Sequence, residues 1–465
     1  MISGSRREES GTRASARAHD REILRLAVPA FLALVAEPLF LLCDAAVVGH
    51  LGTPQLAALG VAGAVLQTVV GLCVFLAYGT TASVARRVGS GDVRGALEQG
   101  VDGVWLAVVI GVVASLAGFP LVGVLVGLFD PGPVVAGHAT TYLRLALLGV
   151  VPLLVMLAGT GILRGLQDTR TPLLVAVAGN LTNIALNVGL VYGVGLGLAG
   201  SAIGSDLAQL GSASALLVVV LRAGRREGAR LRPDLSGVAR AAHAGVALVV
   251  RTLTLRASLL VMTYGAASLG ATSLATHQLA ATIWTFLAFA LDAVAIAAQA
   301  ITGRTLGAGQ VEQTRAVTDR MVRWGLLSGV VTGVGLALTA PLLGGLFTSD
   351  PQVRDLLGPV LLAAAVFQPL AGVVFVLDGV LIGAGDGRYL AWGCVLVLAV
   401  FVPCAWVALA LPAGPAPGPA PGPGLVWLWL AFGVGFMGSR AFVLVHRARG
   451  TRWLVTGVGE RSPAR

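Results

Sequence analysis

Five carboxylates stand inside long apolar stretches of this sequence: Glu37, Asp44, Asp206, Asp292 and Asp378. An ionisable side chain there costs about 2.5–3.5 kcal/mol on insertion scales, so each is a candidate for ion or proton traffic or for recognising a charged ligand. Asn180, Asn183 and Asn187 are spaced three and four apart, one face of a helix. Glu37 and Asp44, seven apart, share a face too, and Pro29 and Pro38 permit a kink in their stretch. Asp44, Asn187 and Asp206 lie six or seven residues from the same end of their stretches, roughly 9–10 Å deep at 1.5 Å per residue. One depth on three stretches predicts a single polar site. A row of Asn can equally be interhelical glue, and each acid can be a structural hydrogen-bond partner. Asp292, Asp378, Tyr264, Gln278, Trp284 and Gln299 are candidates for a cavity wall, whereas His277 reads as a packing residue.

These residues are positioned by helices that cross a membrane. Of 465 residues, 56% are hydrophobic and 12% charged, too few charges to coat a soluble surface of that size. Spans are predicted near 25–50, 55–83, 97–128, 137–163, 172–193, 199–221, 246–268, 271–302, 317–346, 356–382, 389–411 and 425–446. Each supplies the roughly 20 apolar residues that a crossing needs. The 63 glycines suit close helix packing in lipid. All 32 basic residues are Arg, which excludes Schiff-base chemistry and a lysine-bearing phosphate loop. Cys43, Cys73, Cys394 and Cys404 show no metal spacing, and no metal or other cofactor is expected.

The net charge of +10 sorts by side. With the N-terminus inside, the Arg residues of the N-tail, of the connections after spans 2, 4, 6, 8 and 10, and of the C-tail all fall in the cytoplasm. The basic balance is therefore a topology signal; no basic module for nucleic acid is present. The expected organisation is a cytoplasmic tail (1–22), a six-helix bundle (23–221), an Arg-rich cytoplasmic linker (222–245), a second six-helix bundle (246–446) and a C-terminal tail (447–465). The Pro/Gly run at 412–424 reads as an extended outer loop.

An internal repeat ties the halves together. Gly89-Ser-Gly-Asp-Val93 resembles Gly307-Ala-Gly-Gln-Val311, and Gly165-Leu-Gln-Asp-Thr-Arg170 resembles Gly383-Ala-Gly-Asp-Gly-Arg388, both at an offset of 218. The same offset pairs Arg86 with Arg304 and Phe129 with Phe347. Six spans per half make the repeats parallel, an architecture of transporters that alternate their access. The fold class is thus all-α integral membrane, twelve spans in two six-helix repeats around a cavity. It pairs Asp292 with Val74 and Asp378 with Thr160, so these acids are not demanded by symmetry.

The motifs resemble the multidrug and toxic compound extrusion family, in its branch named after a DNA-damage-inducible protein. Span 1 reads Pro29…Glu37-Pro-Leu-Phe-Leu-Leu-Cys-Asp44-Ala-Ala-Val-Val-Gly-His-Leu-Gly52. Span 8 reads Trp284-Thr-Phe-Leu-Ala-Phe-Ala-Leu-Asp292, and span 10 Gln368-Pro…Leu377-Asp378-Gly-Val-Leu-Ile-Gly-Ala-Gly-Asp386. The resemblance covers nearly all of 22–446. It implies an exporter of amphipathic, often cationic compounds driven by a proton or sodium gradient, with Asp44 as coupling residue and a bend of span 1 near Pro29. One departure stands out: where members carry Asn and then an acid four residues on, this chain has Asn183 and Asn187. A cation site of Asp44, Asn183, Asn187 and the Ser205 hydroxyl then holds one negative charge, which favours a proton over a weakly bound sodium ion, with Asp206 a compensating acid.

A monomer in the cell's inner or plasma membrane is expected, with both termini cytoplasmic and a small organic substrate. Two other classes stay in view. A flippase for a lipid-linked precursor would need a cationic cavity, and only Arg251 and Arg256 lean that way. A membrane-embedded enzyme would need a metal cluster or paired catalytic acids, which the sequence lacks.

Overall fold

The structure, a computed structural model, describes residues 2–411 and 424–457, with side chains from His19 onward. Its helices form twelve apolar elements long enough to cross a bilayer, ten as single helices and two as bent pairs. We number them in chain order: α1 Ile2–Gly49, α2 Thr53–Gly89, α3 Val93–Gly127, α4 Pro133–Ala146 with Val150–Gly165, α5 Arg170–Gly193 and α6 Leu198–Arg226. The second set is α7 Leu235–Ser268, α8 Ala271–Gly307, α9 Val311–Phe347, α10 Pro351–Val366 with Gln368–Gly383, α11 Gly387–Ala410 and α12 Gly424–Arg449. No strand occurs among the described residues. The run at 412–423, expected as an extended loop, lies outside the described residues.

The repeat is visible in the backbone. Thr53 and Ala271 open α2 and α8, Val93 and Val311 open α3 and α9, and Pro133 and Pro351 open α4 and α10, each pair 218 apart. Even the irregularities repeat: α4 bends by 51° and α10 by 50°. Pro152 and Pro369 fall in the first turn after each break, and the missing N–H of proline uncouples that turn from the helix before it.

Small residues let the bundles close. Gly161 and Gly165, four apart on α4, lie against α2, where a methyl on Gly161 would stand 2.6 Å from the Ala77 carbonyl oxygen. Their repeat partners Gly379 and Gly383 on α10 meet the carbonyls of Ala295 and Gln299 on α8 in the same way. This small-xxx-small packing is how helices approach when the surrounding solvent is lipid. Acids at the helix starts are caps: Asp92 accepts from Gly95 N–H at 2.8 Å, and Asp168 from Arg170 and Thr171 N–H at 3.0 Å. The linker is pinned to α3, since Glu98 accepts from Arg230 N–H at 3.1 Å and buried Asp102 from Asp234 N–H at 3.0 Å.

The chain divides into two compact units. The first comprises 28–249 with 303–309; the second comprises the residues up to 27, 250–302 and the described part of 310–456. α1 and α7, the opening helices of the two repeats, are each split between units, α1 between Ala27 and Val28, beside Pro29.

Candidate functional site

In the first unit, α1, α5 and α6 bring the polar residues together. Asp44 on α1 is 6% exposed. Its Oδ1 accepts hydrogen bonds from Asn187 Nδ2 of α5 and Ser201 Oγ of α6, both at 2.7 Å. One turn further along α5 and α6, Asn183 Nδ2 donates to Ser205 Oγ at 3.0 Å. Asn183 and Asn187 are four apart, as are Ser201 and Ser205, so two matched helical faces meet in register. Buried Tyr142 of α4 interacts with Ser201 and Ser205 and feels the charges of both Asp44 and Asp206. Asp44 therefore sits buried with two neutral donors, an amide and a hydroxyl, on one carboxylate oxygen.

Two acceptors there are left over. The amide oxygens of Asn183 and Asn187 are buried without a hydrogen-bond partner among the described residues, and such an orphan costs about 1–3 kcal/mol. The site retains capacity for a further donor or a cation. α1 is held to α5 at two more places: Asn180 Nδ2 donates to the Ala36 carbonyl at 3.1 Å, and the Tyr192 hydroxyl to the Val47 carbonyl. Just after Asn187 the backbone widens into an i→i+5 turn over Gly189–Gly193, which carries Tyr192; such turns recur at functional sites.

Two coupling candidates stand apart. Glu37 is exposed and makes no hydrogen bond to any described residue. Asp206 is half-buried against Gly149 at the bend of α4 and makes no hydrogen bond to the Asp44 cluster.

In the second unit the expected cavity-wall residues stand in different settings. Asp378 is not a free negative charge. Arg251 Nε donates to its Oδ1 at 3.1 Å, the same guanidinium pairs with Oδ2, and Arg440 lies at 3.6 Å. All three are more than nine-tenths buried, and a carboxylate so deep needs this counter-charge. Trp284 packs edge-on against Trp429 and Phe432, ring centres 6.1 and 5.5 Å away, in an aromatic cluster. Gln299 is buried at 2% exposure, Asp292 is half-buried, and Tyr264 and Gln278 are exposed. His277 packs on Trp429 at 5.7 Å, with Nε2 3.4 Å from the Thr263 hydroxyl.

The MatE family profile matches residues 29–188 and 247–407, segments that begin 218 residues apart and so coincide with the two repeats. The chain belongs to the MatE family. It is 32% identical over 410 residues to protein DETOXIFICATION 44, chloroplastic, of Arabidopsis thaliana, covering 84% of this chain and 77% of that one. It is 28% identical over 376 residues to DNA damage-inducible protein F of Escherichia coli K12, covering 78% and 81%. In fold it is similar to the Vibrio cholerae MATE transporter VcmN in its bent form, with TM-score 0.84 and 20% identity over 94% and 98% of the chains. This MatE protein is thus a multi-pass integral membrane efflux transporter and not an enzyme.

Sequence reading of this MatE chain passed over Ser201, Tyr142 and the Arg251–Asp378–Arg440 cluster. Ser201 carried a signal: it sits four before Ser205, matching Asn183 and Asn187 on the neighbouring helix. Arg251 and Arg440 are far from Asp378 in sequence, and no spacing announces that pairing.

Proposed function

We propose that this MatE transporter is a proton-coupled antiporter that expels amphipathic organic compounds, with both termini and the 222–245 linker in the cytoplasm. The observation that supports proton coupling is the composition of the Asp44 pocket. It holds one carboxylate, bonded to an amide and a hydroxyl, where a second acid would double the charge. One proton neutralises such a pocket completely. Amide and hydroxyl groups can bond either form of the acid, so the pocket keeps hydrogen-bond partners for Asp44 through loading and unloading. Protonation removes the need to hydrate a carboxylate and lets α1 close against α5 and α6; its release reopens the pocket. The Arg placement supports the topology.

The test is transport in proteoliposomes under an imposed pH or sodium gradient. A pH gradient alone should drive efflux, and Asp44→Asn should abolish it while the protein still folds. Transport driven by sodium alone would overturn the reading. The orphan amide oxygens of Asn183 and Asn187 favour one second reading, a sodium ion shared with Asp44. It expects sodium to stabilise the purified protein and Asp44→Asn to remove that effect.

A further inference from the structure

We propose that Arg256 selects the charge of the transported compound, and that the preferred substrates are amphipathic molecules carrying a carboxylate. This rests on the reading of the chain as an exporter of organic compounds and reverses the expected preference for cations.

Arg256 lies on α7, twelve residues before its end at Ser268, roughly 18 Å along the axis and so near mid-depth of a hydrocarbon core about 30 Å thick. It is exposed, and it makes no hydrogen bond or ion pair to any described residue. The other mid-span charges of this unit are engaged. Asp378 is held by Arg251 and Arg440, a cluster that itself carries one net positive charge, and Asp292 has a partner of its own. Asp378 is therefore neutralised by its arginines, and the charge left open on α7 is a guanidinium.

An unpaired guanidinium at that depth is too costly to face lipid and belongs on a wetted surface. In the same unit the exposed face of α8 also carries polar side chains, Gln278, Thr282 and Thr285, the two threonine hydroxyls bonded back to their own helix. The exposed face of α7 reads Leu253, Arg256, Leu260 and Tyr264, spaced three, four and four apart, with Leu260 and Tyr264 68% and 71% exposed. Leucines flank the guanidinium and an aromatic ring stands two turns on. An apolar body with one carboxylate fits this surface: the body lies on the leucines, and the carboxylate takes the planar fork of Arg bidentately.

The experiment uses the full chain in nanodiscs and proteoliposomes with three dansyl probes of similar size: dansylglycine, its primary amide, and dansyl-ethylenediamine. Equilibrium binding is read by energy transfer from tryptophan. The wild type should bind the carboxylate about tenfold or more tighter than the amide, the range of a charge-assisted hydrogen bond, and the amine most weakly. Arg256→Gln should erase the difference between carboxylate and amide, while Arg256→Lys, which keeps the charge, should restore part of it. Asp44→Asn should stop gradient-driven efflux of every probe yet keep the binding order, which separates failure of proton coupling from failure of this inference. Amine binding equal to or tighter than carboxylate binding in the wild type, no measurable carboxylate binding, or an unchanged carboxylate preference in a folded Arg256→Gln overturns it.

Discussion

Neutralising Asp378 separates a structural role from a ligand-binding one. If this acid lined a cation path, Asp378→Asn would leave the fold intact and weaken export of cations selectively. The geometry demands the opposite. Asp378 accepts from Arg251 through both oxygens and faces Arg440 at 3.6 Å, with all three residues buried. The cluster's charge is +1, and it becomes +2 in a dry site when the carboxylate is replaced by an amide. Breaking a buried pair in this way costs about 3–5 kcal/mol, a large share of the roughly 5–15 kcal/mol that separates folded from unfolded states in ordinary domains. Asp378→Asn should therefore lower the thermal midpoint of the purified protein, measured by tryptophan fluorescence in nanodiscs, and cut its abundance in the membrane. Any residual transport should be reduced alike for anionic, neutral and cationic compounds. The double variant Asp378→Asn with Arg251→Gln returns the cluster to +1 and should recover part of the lost stability, giving a coupling in the range of about 0.5–3 kcal/mol for contacting residues. A folded Asp378→Asn with the wild-type midpoint and a selective loss of cationic export would refute this reasoning.

Three further outcomes are expected. Gly161→Leu should disrupt the seam between α2 and α4, where the Ala77 carbonyl leaves no room, and lower the thermal midpoint sharply; Gly60→Ala, with nothing within 4 Å, should be neutral or slightly stabilising. Asn187→Asp, which supplies a second negative charge beside Asp44, should raise the sodium dependence of transport, read as efflux rate against sodium at fixed pH. In a cysteine-free background, membrane-impermeant maleimide added from outside should label a cysteine at Asp130, between α3 and α4, and spare one at Arg232; labelling at Arg232 would invert the proposed topology.

Much of this architecture was legible before any coordinates. Membrane spans announce themselves by length and apolarity, and the 218-residue repeat by a handful of paired motifs; both reappear in the backbone down to the matched bends of α4 and α10. The depth argument that grouped Asp44 and Asn187 works because helical rise is fixed at about 1.5 Å per residue, and the two side chains do meet at 2.7 Å. Depth says nothing about azimuth, however. Asp206 shares the level of Asp44 but points to the bend of α4, and Glu37 shares its helix but stays exposed. For the same reason Trp284, at a plausible level for a wall, turns into an aromatic core. Long-range charge pairing is the other blind spot: Asp378 and Arg251 lie 127 residues apart, and only folding reveals that one cancels the other.

The split of α1 between units gives the Asp44 pocket mechanical consequence. Residues 28–49 belong with the first unit, pinned to α5 through Asn180, Asn187 and Tyr192. The portion up to Ala27 belongs with the second, where Asp20 accepts from Arg320 Nε at 2.6 Å and Trp324 Nε1 at 2.8 Å. Between these two anchorages stands Pro29, where a backbone hydrogen bond is missing and bending is cheapest. Under the proposed proton coupling, the contacts that fasten α1 above the junction include the carboxylate that loads and releases the proton. On that proposal, a change in how tightly Asp44 is held would load the arm of the helix above the junction, and Pro29 is a point where α1 can yield. Asp44 and Pro29 lie fifteen residues apart, about 22 Å along the axis, with Pro38 a second yielding point between them, so the proposed proton site would act on the place where the chain passes from one unit to the other through this one stretch of α1.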